Sequence, residues 1–96
     1  MYGTVAHMHA KPGMEQELTE LFREYEHTPV AGSVAVYVYQ MDSDPTEFAL
    51  SVVFESKEAY FANANNPEQN TRYEKMVKLL AGEPQWNDGA IVHSMT

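Results

Sequence analysis

The side chains of this sequence best equipped for chemistry are histidines, tyrosines and a lone tryptophan: it has four His, six Tyr and one Trp. His7 and His9 alternate with Thr4, Ala6, Met8 and Ala10 in the run from Tyr2 to Ala10, so an extended strand puts both imidazoles on one face. His93 falls in the run Ala90 to Met95, which reads as a last short strand lying near the first. Three imidazoles gathered in this way can bind a metal or move protons near neutral pH. No Asp or Glu stands among them, however, and the plainer reading is that they hydrogen-bond to Tyr, Ser51 or water. No metal is therefore expected.

A second set is aromatic. Tyr37, Tyr39, Tyr60, Phe61, Tyr73 and Trp86 can shape a flat pocket whose phenol groups orient the polar ends of an aromatic ligand, or can simply fill a core and an interface. Asn63, Asn65, Asn66 and Asn70 form a polar patch around a helix junction, where amides commonly serve as caps and turn residues. Arg72 and Lys75 can draw in an anion, although pairing with Glu68 or Glu74 is the simpler use, worth roughly 0 to 1 kcal/mol at a surface.

Other chemistries are excluded or disfavoured. The chain has no cysteine, hence no thiol nucleophile, disulfide or thiolate metal site. No phosphate-binding loop, nucleophile elbow or cofactor fingerprint is present, and no cofactor is expected. Fourteen acidic residues against six basic ones give a formal charge of -8, which repels nucleic acid and anionic lipid surfaces. No apolar run approaches the roughly 20 residues of a membrane span, and the strand-like alternation from Tyr2 onward, without a basic region followed by an apolar stretch, leads to the expectation of no secretory leader. A soluble cytoplasmic protein is expected.

The elements that must hold these residues are legible in order. Lys11-Pro12-Gly13 stops the first strand. Met14, Leu18, Leu21, Phe22 and Tyr25 then make the apolar stripe of a helix whose other faces carry Glu15, Glu17, Glu20 and Glu24. His27-Thr28-Pro29 ends it. Ser33 to Met41 and Phe48 to Glu55 read as a hairpin about the turn residues Asp42-Ser43-Asp44-Pro45. Ser56 caps a short helix, and Asn66-Pro67-Glu68-Gln69 begins another, with Tyr73, Met76, Val77 and Leu80 as its stripe. Gly82 and Pro84 close that helix, and Asn87-Asp88-Gly89 turns the chain into its final strand.

The 96 residues thus form one α+β domain, spanning 1–96, with a four-stranded antiparallel sheet and helices over one face, a ferredoxin-like βαββαβ order. The hairpin is apolar on both sides: Val34, Val36 and Val38 alternate with Ala35, Tyr37, Tyr39 and Met41. One side must face something other than water, and a second copy of so small a domain is the simplest cover.

The run from Ala6 to Gly13, the stretch from Phe48 through Phe54-Glu55-Ser56-Lys57-Glu58-Ala59-Tyr60, Asn66-Pro67 and the last strand together resemble the antibiotic biosynthesis monooxygenase family over nearly the whole chain. The resemblance implies a homodimeric α/β barrel with sheets face to face, the histidines lining its polar interior. It further implies a cofactor-independent monooxygenase-like activity on a small aromatic, quinol-like or polyketide-type substrate. By the same resemblance Asn63 sits where a polar pocket residue of the short helix is found. His7, Asn63 and Tyr73 are then the expected catalytic residues, and Tyr60, Phe54, Met8 and Trp86 the expected substrate contacts. The chain departs from the family's usual histidines at Asn63 and Glu68 and from its tryptophan at Phe54. The residues of the haem-degrading branch are also missing, with Ala6, Asn63 and Tyr73 in their places. The alternative is a non-catalytic, small-molecule-binding or stress-related dimer of the same fold; a histidine metal protein is a third reading.

Overall fold

A computed structural model describes residues 1–25, 28 and 30–95. In chain order these form β1 (Tyr2–His9), α1 (Glu15–Glu24), β2 (Ser33–Gln40), β3 (Glu47–Phe54), α2 (Lys57–Ala64), α3 (Pro67–Val77) and β4 (Gln85–Ala90). All neighbouring strands are antiparallel, in the order β2-β3-β1-β4. This is the ferredoxin-like α+β arrangement, with the first and third strands central.

The expected caps position the helices. Ser56 Oγ accepts from the Ala59 amide at 3.1 Å, and Asn66 Oδ1 accepts from the Glu68 amide at 2.9 Å. Pro67 occupies the first turn of α3, where a missing donor does no harm. The proposed end of the first helix at His27 and Pro29 lies outside the described residues.

The core lies between the sheet and helices α1 and α3. Ala6, Met8 and Ala10 of the first strand and its extension meet Phe48 and Leu50 of β3, Leu18 and Leu21 of α1, and Met76 of α3. Tyr25, just past α1, donates its hydroxyl to the Arg72 carbonyl of α3 at 3.0 Å and ties the two helices together. Burial raises the Tyr25 pKa, with the Arg72 charge opposing and Glu24 adding to the rise. Among the described residues every buried side-chain nitrogen or oxygen has a hydrogen-bond partner.

Strand register assigns the faces. Thr4, Ala6 and Met8 stand opposite Val52, Leu50 and Phe48 on the helix side. Val5, His7 and His9 stand opposite Ser51, Ala49 and Glu47 on the other side, where Tyr37 and Tyr39 pair with Ser51 and Ala49. Among the described residues no helix covers that second face: Val5 is 50%, Tyr37 58% and Tyr39 56% exposed.

The last strand differs from expectation. It spans Gln85–Ala90, and residues 91–95 have no regular structure. Asn87-Asp88-Gly89, read from the sequence as a turn, pairs along Val5, Thr4 and Gly3 of β1. Tertiary pairing overrides the local turn preference here: the Asn87 amide donates to Thr4 Oγ1 at 3.2 Å and its side chain to the Val5 carbonyl at 3.0 Å. The reversal before it occupies only Ala81 to Pro84, with Gly82 at φ 104°. Leu80 likewise lies beyond α3, bridging to Ala10 instead of extending the helix stripe.

Candidate active site

The new register of β4 builds a site that the sequence did not announce. Trp86 and Asp88 stand opposite Ala6 and Thr4 on the helix side of the sheet. Helix α2 lies over this end, anchored by Tyr60, whose ring meets Tyr2, Phe54 and Phe61 edge-on at centroid distances of 5.4, 5.6 and 5.2 Å. Helix α3 contributes Tyr73, whose ring lies 6.2 Å from the Trp86 indole.

Within this aromatic cluster the Tyr60 hydroxyl donates to Asp88 Oδ1 at 2.8 Å. The Tyr60 pKa is pushed up to about 12, first by burial and then by the bond to Asp88, whose negative charge disfavours the phenolate; Thr4 acts the other way. Tyr60 is thus held as a protonated donor at any physiological pH. Thr4, the polar floor of the cluster, is only 4% exposed. Asp88, Trp86 and Phe61 are exposed, so solvent or a ligand reaches the cluster from their side. Lys57 stands over the Tyr2 ring at 5.8 Å, adding positive charge at the rim.

From the expected set the structure brings Tyr60 against Phe54 and Tyr73 against Trp86. Asn63 lies on α2, half-buried, one turn beyond Tyr60. Phe54 is a support, being 2% exposed and packed beneath the Tyr60 ring. Met8 is also 2% exposed but belongs to the central core beside Leu18, out of reach of a ligand.

His7 is parted from the cluster altogether. It projects from the opposite face of the sheet into an open depression of about 440 Å³ shared with His9, Glu47, Glu83 and Gln85. His93 lies beyond the other end of β4, whereas His7 stands opposite Gln85 at its start, so the three histidines do not assemble. The residues missed from sequence were Asp88, Thr4 and Tyr2. The alternation of Trp86, Asp88 and Ala90 with Gln85, Asn87 and Gly89 was the available signal, hidden by turn-forming residue types.

Fold and site together define a small α+β domain with an aromatic cluster and a half-buried, hydrogen-bonded tyrosine between one end of its sheet and its helices. A profile of the antibiotic biosynthesis monooxygenase family matches residues 1–75. The chain belongs to that family. Among solved structures it is similar to SnoaB, a cofactor-independent oxygenase from Streptomyces nogalater, at 10% identity and TM-score 0.85, covering 98% of this chain and 95% of that one. A Nitrosomonas europaea protein carrying the family designation aligns at 17% identity and TM-score 0.82, covering 97% and 100%. One from Chloroflexus aurantiacus J-10-fl aligns at 23% identity and TM-score 0.75, covering 99% and 98%. Identities this low carry the fold alone. No curated protein matches the chain. Among the described residues no helix is long and apolar enough to cross a membrane.

Proposed function

We propose that the protein is a cofactor-independent monooxygenase acting on a small aromatic substrate of quinol or polyketide type. The observation that carries this reading is the Tyr60–Asp88 hydrogen bond set among edge-to-face aromatic rings. Family membership and the named activity of SnoaB support it.

The aromatic substrate lies flat against Trp86 and Tyr73, with its phenolic edge toward Asp88. Tyr60 occupies one carboxylate oxygen, leaving the other to take the phenol proton. The Asn63 amide and Lys57 stabilise the resulting anion. That electron-rich anion passes one electron to dioxygen and the two radicals combine at the activated ring carbon. For an anthrone, the methylene carbon gains one oxygen atom and loses two hydrogens, and the second oxygen leaves as water. The substrate itself supplies the electrons, so the protein contributes orientation, proton transfer and charge stabilisation.

The uncovered sheet face belongs to the same reading. Two copies pairing through Val5, Tyr37 and Tyr39 form a homodimer that removes these side chains from water. His7 then lies toward the shared interior while His9 stands at the strand end beside Glu47, and neither takes a direct part in the chemistry.

Oxygen uptake with a panel of anthrones and hydroquinones tests the proposal. The native protein is expected to consume oxygen, and Asp88→Asn to lose about 100-fold or more in kcat, the usual range for a positioned base. Uptake unchanged in Asp88→Asn removes the assigned base. Ligand binding without uptake across the panel favours the second reading, a small-molecule-binding dimer, for which the absent family histidines at Asn63 and Glu68 speak.

A further inference from the structure

On the sheet face opposite the aromatic cluster, one imidazole and two carboxylates converge at a strand end. We propose that His9, Asp44 and Glu47 bind a divalent transition-metal cation of the zinc or manganese type. Their donor atoms, one from each residue, all lie within 4.8 Å of one another. Ligands held about 2.1 Å from a common ion stand roughly 3.4 Å apart in a tetrahedron, and about 3.0 Å apart side by side or about 4.2 Å apart across an octahedron, so small side-chain rotations close the set.

Acidic side chains are common on a chain of net charge -8, and most of them serve solubility. The four glutamates of α1 are spread along one helix without a histidine. The three residues here come instead from three places that the backbone brings into register. His9 ends β1 directly opposite Glu47, the first residue of β3. The Ala10 amide donates to the Thr46 carbonyl at 2.7 Å and the Glu47 amide to the Asp44 carbonyl at 2.9 Å, fixing the loop that carries Asp44 against this strand end.

An outer layer and an approach are also in place, as a metal site needs. Thr46 donates its amide and its hydroxyl to Asp44 Oδ1, at 3.0 and 2.7 Å, orienting that carboxylate and leaving Oδ2 for the ion. The depression of about 440 Å³ that includes His9 and Glu47 opens beside them, with room for water ligands and with His7 and Glu83 on its wall. One nitrogen and two oxygens suit zinc or manganese, whereas calcium takes oxygen ligands and is disfavoured by the imidazole.

Calorimetric titration of the full chain with zinc chloride and, separately, manganese chloride tests this site. The expected result is one ion per chain, undisturbed by excess calcium. His9→Gln, Asp44→Asn and Glu47→Gln should each weaken binding by about tenfold or more, while His93→Gln leaves it unchanged. Asparagine at position 44 keeps Oδ1 for Thr46, so the loop survives that change. Manganese should broaden the His9 ring resonances in an NMR spectrum of the native chain. The proposal is overturned by the lack of saturable binding, by binding that survives His9→Gln and Glu47→Gln, or by broadening centred on α1.

Discussion

Replacing Tyr60 with phenylalanine should change how stability responds to alkali. In the unfolded chain this tyrosine loses its proton near pH 10; in the folded protein it holds it to about 12. Between those values the unfolded state binds fewer protons, so stability falls as pH rises; below about pH 10 the contribution is fully present. Two pKa units correspond to at most about 2.7 kcal/mol, and because Tyr60 is only half-buried, solvent screening reduces the expected figure to about 1 kcal/mol. Urea unfolding at intervals from about pH 9 to pH 12 should show a steeper decline for the native protein than for Tyr60→Phe, the two curves converging at the alkaline end. Tyr25, also raised by burial, is present in both proteins and cancels in the difference. Near-ultraviolet absorbance should show one late-ionising tyrosine fewer in the variant. Parallel stability curves, together with a Tyr60 phenol that ionises at the ordinary value, would refute the hydrogen bond to Asp88.

Three other substitutions probe the frame. Tyr37→Ala on the open sheet face removes about 100 Å² of exposed ring, worth roughly 2 kcal/mol, and a symmetric pair counts it twice. Sedimentation on dilution should show dimer affinity falling by about a thousandfold, and an unchanged affinity would mean that this face is not the interface. Leu18→Ala opens a cavity beside Ala6 and Phe48 and should lower stability by about 2–5 kcal/mol in thermal unfolding; a loss under about 1 kcal/mol would contradict the docking of α1. Gly3→Ala places a methyl group against the Val52 carbonyl oxygen and must push β1 from β3, costing about 1–3 kcal/mol and disturbing Tyr2 and Thr4 beside it. A variant as stable as the native chain would show that the two strands are not so closely apposed.

Much of the frame can be read from sequence because it rests on short-range rules. Ser56 and Asn66 cap the helices expected of them, the stripe of Leu18 and Leu21 is buried, and the alternation through Ala6 and Met8 finds the core. That alternation also separates His7 from Met8, since adjacent strand residues face opposite ways, so both could not serve one pocket. The site was harder because its acid lies in β4. Asn87, Asp88 and Gly89 are turn formers by local preference, and only pairing with a strand more than 80 residues away draws them straight. Tyr60 was visible as an aromatic residue, but its partner depended on that long-range register.

Turnover of an anthrone under isotopically labelled dioxygen, with no metal, flavin or nicotinamide added, addresses the proposed chemistry most directly. The account predicts a quinone product bearing one oxygen atom from dioxygen, formed by the native protein and strongly reduced in Asp88→Asn. A product whose new oxygen comes from water, or labelled product formed equally well by Asp88→Asn, would contradict it.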